Sequence, residues 1–284
     1  MNGILVVNKP IDFTSRDVVN KVGGILKTKK VGHTGTLDPI ATGVLVICIG
    51  NTTKLCEVLT SEYKEYIATI KLGIKTDTLD TTGTIIEKKD FDVTESQIKE
   101  TLNSFLGTSI QTTPIYSAVK VNGKKLYEYA REGLYVELPK REINITNIEL
   151  ISYKEDEIIF KTTVSKGTYI RALIDDICTK LNTVGTMSSL QRTKQGNFTI
   201  EKSYSIEDIQ KGNYNLLSLE EALSNIETIT IDNNLYNQVK NGSIIDKTFN
   251  NDIACLSYEN KIVAIYQTYH KDNSKAKPFK MFIN

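Results

Sequence analysis

An unbroken apolar run, VLVICI at residues 44–49, is bounded by a glycine on each side. A strand-length run without alternation has both faces buried, so the chain must build a sheet with material packed on each side of it. The stretch before it, KKVGHTGTLDPIATG, shows neither helical nor strand period and carries three glycines. It reads as an ordered loop anchored by the buried strand. Asp38 lies in that loop, near a histidine and near glycines that permit close backbone approach. Asp-Pro is a common turn starter, and on its own Asp38 reads as a turn residue. Its setting also suits a rigidly positioned nucleophile.

Other segments surround this strand. GILVVNKP is a second short strand, stopped by Pro10, which cannot continue a ladder. With Ser15 as N-cap, Val18, Val19, Val22, Ile25 and Leu26 fall at helical spacing, although Gly23 and Gly24 weaken the second half. EYIATIKLG and TGTIIEKK read as strands joined by the polar segment IKTDTLDT. TESQIKETLNSFLG is a helix with a Thr94–Gln97 capping box and Gly107 at C′. Asn122-Gly123 signals a hairpin turn and LYEYAREG a short helix. Residues 141–165 form two strands joined around residues 155–157. GTYIRALIDDICTKL is an amphipathic helix with Thr168 as a cap. From about residue 228 the pattern changes to one short helix and several short strands. The expected organisation is a large domain over residues 1–227 and a small β-rich domain over residues 228–284.

Composition narrows the chemistry. With only His33 and His270, the chain cannot build a His-rich metal centre. Lacking tryptophan, it must stack bases on Tyr, Phe, His or Arg. Cys48, Cys56, Cys178 and Cys255 form no CxxC pair, which fits reduced, partly buried thiols. No apolar run is long enough to cross a bilayer and no signal peptide is evident, so a cytoplasmic protein that does not contact membranes is expected. A net charge of +1 argues against a dedicated nucleic-acid binder, although phosphate binding needs only a local basic face. Basic runs occur at Lys27, Lys29 and Lys30, at Lys120, Lys124 and Lys125, and along Lys161, Lys166 and Arg171. Each also reads as ordinary solvated surface.

The motifs rule out several sites. GHTGTLDPIATG lacks the GK[ST] ending of a phosphate loop and the GxGxxG spacing of a dinucleotide fold. TDTLDTTG, with Asp77 and Asp80, fails the spacing of a calcium loop. Asp77 reads as part of a hydrogen-bonded strand connection, while Asp80 stays open. SKGTYIRALIDD places Tyr169 and Arg171 at a helix start, where Lys166 and Arg171 favour an anion. Core packing for Tyr169 and a surface pair for Arg171 are the alternatives. Tyr66 reads as a strand-core residue.

Taken together, these segments resemble the TruB family of pseudouridine synthases. VNKPIDFTS resembles the KPxGxTS motif, with Asp12 where the family has glycine, and KVGHTGTLDPIATGVLVICIG keeps the GHTGxLDPxAxGxL pattern. KEYIATIKLGIKTDTLDTTG, PIYSAVKVNGKKLYEYAREG, SKGTYIRALIDDI and SLQRT follow in family order. The resemblance covers about residues 3–195. It implies an α+β fold, with a catalytic domain built on a central mixed β-sheet and a small C-terminal PUA-like β domain. It also implies isomerisation of a T-arm uridine of tRNA to pseudouridine, with no cofactor, no metal, no obligatory protein partner and a monomeric enzyme. By resemblance, Asp38 is the essential carboxylate, Arg171 pairs with it and keeps it ionised, and Tyr66 stacks on the extruded base and assists proton removal from C5. Tyr169 and Leu190 would line the base pocket, His33 would contact displaced RNA, and Lys9 and Asp80 would support the site. Asp12 tolerates left-handed backbone better than most non-glycine residues, so its turn is expected to survive.

Overall fold

The protein is described by a computed structural model over residues 1–60 and 62–283. Strand β1 (Gly3–Lys9) leads through helix α1 (Ser15–Ile25) and a short β2 (Val31–His33) to β3 (Thr42–Ile49). A 3-10 turn and α2 (Cys56–Thr60) precede β4 (Lys64–Leu72). β5 (Ile74–Thr76) and β6 (Ile85–Lys88) form a separate ribbon. Next come α3 (Glu95–Asn103), β7 (Gly107–Thr112), the hairpin of β8 (Lys120–Val121) and β9 (Lys124–Lys125), and α4 (Leu126–Arg131). β10 (Lys140–Lys154), β11 (Glu157–Val164), α5 (Ile170–Lys180), β12 (Gly185–Gln195) and β13 (Phe198–Thr199) follow. α6 (Ile206–Lys211) and α7 (Leu219–Ala222) lead into β14 (Thr228–Thr230), α8 (Asn233–Lys240), β15 (Ile245–Asp246), β16 (Ile253–Tyr258), β17 (Lys261–Tyr269) and β18 (Asp272–Met281).

The large sheet runs β1-β3-β12-β4-β11-β10-β7, with β2 on β3 and β13 on β12. It is mixed, because β12 meets β3 in parallel at Gln191 and Arg192 but β4 in antiparallel. A second sheet, ordered β14-β16-β17-β18-β15, closes the chain. The whole is α+β, as expected.

β3 is buried on both faces. Val44, Val46 and Cys48 pack with Leu55, Leu59 and Phe198, and with Cys255 and Ile265 of the second sheet. Leu45, Ile47 and Ile49 pack on Val18, Val19 and Val22 of α1 and Ile209 of α6. The run without alternation therefore has apolar partners on each side, and one of its faces joins the two sheets. A larger core lies between β4, β11, α3 and α5, around Ile70, Phe160, Leu102 and Ile174. The cysteines are free, with Cys48, Cys178 and Cys255 buried.

Several local expectations change. Thr14, not Ser15, caps α1, forming a capping box with Asp17, and Ser15 turns inward instead. Part of the aperiodic loop pairs as β2 with residues 47–49, because the edge of β3 offers free backbone partners there. Gly107 begins β7 with φ 93° rather than closing α3, whose cap is Ser104. Tyr169, not Thr168, occupies the N-cap of α5, and no side chain caps that end. The Thr168 hydroxyl donates to the Ser165 carbonyl instead. The Thr94–Gln97 capping box and the Asn122-Gly123 turn are present as expected. Among the described residues no helix is long and apolar enough to cross a membrane.

Gly43 holds the junction of β1, β3 and β12 together. Its φ is 97°, and a Cβ there would lie 2.2 Å from the Arg192 carbonyl oxygen. Gly43→Ala therefore faces both left-handed strain and a backbone clash. Urea unfolding should show a loss of about 2 kcal/mol or more, and an unchanged midpoint would refute this close approach.

Candidate active site

Arg171 stands in the first turn of α5 and is 5% exposed. Its guanidinium gathers three separate loops. Nη1 donates to the Thr78 carbonyl at 2.9 Å, and Nη2 donates to the Tyr116 carbonyl at 3.0 Å and to Asp38 Oδ1 at 3.3 Å. Nε lies 3.0 Å from Asp38 Oδ2, an ion-pair contact whose angle falls outside hydrogen-bond geometry. Asp80 Oδ2 is 3.7 Å from Nη1. The surface-pair alternative for Arg171 is thus excluded.

The two carboxylates beside this arginine are placed differently. Asp80 is buried, and its Oδ1 accepts from the Thr78 hydroxyl at 2.9 Å, the Thr82 N–H at 3.0 Å and the Thr82 hydroxyl at 2.5 Å. Its capacity is spent on holding residues 78–82. Asp38 keeps 35% of its side chain exposed. It is the carboxylate of this pair with room for a substrate atom.

Backbone contacts fix the Asp38 loop along its length. The Asp38 carbonyl accepts from the Ala41 N–H at 3.0 Å, so the residue does start a turn while its carboxylate points elsewhere. The Ser15 hydroxyl accepts from the Leu37 N–H at 2.8 Å and donates to the Leu37 carbonyl at 3.2 Å. Arg192, 1% exposed, donates to the carbonyls of Val44 at 2.6 Å and Gly35 at 3.0 Å. Lys9, fully buried, donates to the carbonyls of Phe13 at 2.5 Å, Pro10 at 2.8 Å and Pro39 at 3.2 Å. Burial pushes the Lys9 ammonium down to about 8. The Asp12 N–H donates to the Pro39 carbonyl at 2.9 Å, and Asp12 adopts φ 64°. The left-handed turn expected of glycine at this position is therefore kept by aspartate.

A cavity of about 560 Å³ opens in front of Asp38. Tyr66, Tyr169, Arg171 and Leu190 line it together with Asp38. Tyr66 and Leu190, each 7% exposed, also belong to the main core, so the strand-core reading of Tyr66 and a place in the cavity wall both hold. The wall also includes Lys64, Lys166 and Arg192. Burial, then Arg192, lowers Lys64 to about 8, while its ammonium donates to the Thr60 and Glu62 carbonyls. Sequence reasoning missed Lys64 and the role of Arg192, although a lysine opening a buried strand was an available signal.

Three of the named residues do not line the cavity. Lys9 and Asp80 act on backbone and on Arg171, as described. His33 lies on β2, and its Nδ1 accepts from the Gly35 N–H at 3.3 Å. Burial, Arg16 and Arg192 lower its pKa. Asp77 serves the strand connection, accepting from the Thr84 N–H at 2.8 Å and the Tyr116 hydroxyl at 3.2 Å. Among the described residues no cluster of three or more His, Cys, Asp or Glu side chains is arranged to hold a metal.

A mixed sheet with this cavity and an appended five-stranded unit defines the pseudouridine synthase fold with a PUA-like β domain. A solved H/ACA ribonucleoprotein bound to a substrate RNA containing 2′-deoxyuridine superposes with a TM-score of 0.74, covering 99% of this chain and 85% of that one. An archaeal box H/ACA complex superposes at 0.73 over 99% and 86%. At 22% identity each, these show the fold alone.

Residues 24–170 match the model of the TruB family pseudouridylate synthase, N-terminal domain. The tRNA pseudouridine synthase B of Clostridium tetani is 45% identical over 276 residues, covering 94% of this chain and 96% of the relative. That of Bacillus velezensis is 40% identical over 303 residues, covering 100% and 98%. The chain belongs to the TruB family of pseudouridylate synthases and is an enzyme of that class.

The Asp12 turn supplies a test. Asp12→Ala should lose about 1 kcal/mol, because alanine has no side-chain group to offset a left-handed backbone. Asp12→Gly should lose none. Thermal unfolding of both variants checks this, and equal losses would contradict it.

Proposed function

We propose that the enzyme isomerises a uridine in the T-arm of tRNA to pseudouridine, with Asp38 as its catalytic carboxylate. One observation carries the reading: of the two carboxylates beside Arg171, Asp38 alone opens into the cavity, facing the same space as Tyr66, Tyr169 and Leu190. The names of the full-length relatives support tRNA as the substrate.

In this isomerisation the N1–C1′ bond breaks, uracil turns over, and a C5–C1′ bond forms. The C5 proton leaves and N1 gains one, so no oxidant or second substrate is required. The uridine must first leave its stack, and pocket contacts offset that cost. Tyr66 and Leu190 offer apolar faces to the extruded base, and Tyr169 closes a further side. Asp38 promotes departure of the base from C1′, held in position by the planar fork of Arg171. The Tyr66 hydroxyl assists proton removal from C5 once the new bond exists. His33, on the strand entering the Asp38 loop, contacts the RNA displaced around the target. Lys9 and Asp80 maintain the loop and the arginine. Residues 1–227 form the catalytic domain and residues 228–284 an RNA-binding one. The enzyme acts as a monomer in the cytoplasm, with no protein partner.

The T-arm is recognised as a folded loop with splayed bases. Lys166 at the cavity, with the exposed Lys27, Lys29, Lys30 and Lys120, supplies basic surface for phosphates despite the near-zero net charge. Affinity for tRNA transcript should therefore fall steeply as salt is raised, with a negative log–log slope of several units. A flat response would remove the electrostatic part of the reading.

Mapping pseudouridine in an unmodified transcript treated with the purified enzyme tests the reaction and its position. Asp38→Asn should lower turnover by about 10³-fold or more while leaving tRNA affinity within about threefold. Conversion at the parent rate would remove Asp38 from the chemistry, and product outside the T-arm would overturn the specificity.

A further inference from the structure

β7 carries an inverted pattern. Ile110 is 63% exposed, whereas its neighbour Gln111 is 2% exposed and is the one buried residue of the strand. Burying an amide where an apolar side chain would serve is costly unless both of its ends are paired. They are. Gln111 Oε1 accepts from the Tyr169 N–H at 2.8 Å, and Nε2 donates to the Tyr169 carbonyl at 3.1 Å.

This side chain holds both backbone polar groups of Tyr169. Tyr169 is the N-cap of α5, and no side chain caps that helix end. Its carbonyl also accepts from the Leu173 N–H at 3.0 Å, so the Gln111 amide and the first helical turn share one oxygen. The Tyr169 ring lies 5.3 Å from the Arg141 guanidinium, and that ring lines the cavity. Two residues further on, Arg171 binds Asp38. A small rotation of the first turn of α5 would displace both the ring and the guanidinium.

We infer that Gln111 is a positioning residue for the reaction, a two-point clamp that sets the start of α5 and through it Tyr169 and the Arg171–Asp38 pair. The inference rests on the active-site reading proposed above. Gln111 itself does not line the cavity. Its loss should therefore slow the chemical step far more than it weakens RNA binding, which is spread over a much larger surface.

The test compares single-turnover conversion and dissociation constants for tRNA transcript. Gln111→Met fills the same space without either hydrogen bond. Gln111→Glu keeps the acceptor for the Tyr169 N–H and loses the donor to its carbonyl. Enzyme is counted as the fraction able to bind tRNA, so that partial misfolding does not register as slow chemistry. Gln111→Met should lower the rate at least tenfold with the dissociation constant within threefold, and Gln111→Glu, which sets a carboxylate oxygen against the Tyr169 carbonyl, should be slowed at least as much. A Gln111→Met rate within twofold of the parent, or a proportional loss of rate and affinity, would overturn the inference. Asp38→Asn measured alongside separates the two readings. If it turns over like the parent, the active-site reading fails and this one with it. If it is inactive while Gln111→Met is fully active, this inference alone fails.

Discussion

The site depends on one buried cation serving several loops. Arg171 binds the carbonyls of Thr78 and Tyr116 and both oxygens of Asp38, and it lies close to Asp80. These partners come from three segments far apart in sequence, around residues 38, 78–80 and 116. Removing the guanidinium would leave the Asp80 carboxylate buried without its neighbouring cation, a change that in buried pairs commonly costs about 3–5 kcal/mol. A guanidinium suits the position, since its five donors have fixed directions and its charge does not titrate. The single ammonium of lysine cannot address the same set.

Around this point, charge is used mainly to organise backbone. Lys9 and Lys64, both buried, donate to carbonyls rather than to carboxylates. Arg192 does the same for Val44 and Gly35. The loop bearing Asp38 is thus held through its own peptide oxygens by two cations, Lys9 at Pro39 and Arg192 at Gly35, which leaves its carboxylate to Arg171 and the cavity. Gly43 lets β3 approach the Arg192 backbone, so the strand that anchors the loop and the strand that supplies Arg192 and Leu190 meet at one junction.

The parts of this arrangement legible in the sequence were those written as local pattern. The unalternating run at residues 44–49 announced a doubly buried strand, and Thr94 with Gln97 announced a helix start. Asp38, Tyr66, Tyr169, Arg171 and Leu190 emerged as a set through ordered motifs, and the fold brings them to one cavity. Pairing across the fold was not legible. Ser15 resembles a cap but is recruited by Leu37, twenty-two positions away. Lys9 was placed at the site through its motif alone, Arg192 lay in the SLQRT element without a role and Lys64 drew no reading, because only the tertiary structure shows which carbonyls they meet. Gln111 gave no local signal, since its partners are the backbone N–H and carbonyl of Tyr169, at the start of a distant helix.

The claim that Arg171 holds Asp38 for chemistry is tested most directly by Arg171→Lys, measured as single-turnover formation of pseudouridine in tRNA transcript beside the dissociation constant for that RNA. Lysine keeps the charge and loses the fork. The rate should fall by about 10²-fold or more, with affinity within about threefold, because the loss falls on orientation. A rate close to that of the parent would show that Asp38 does not depend on the arginine fork.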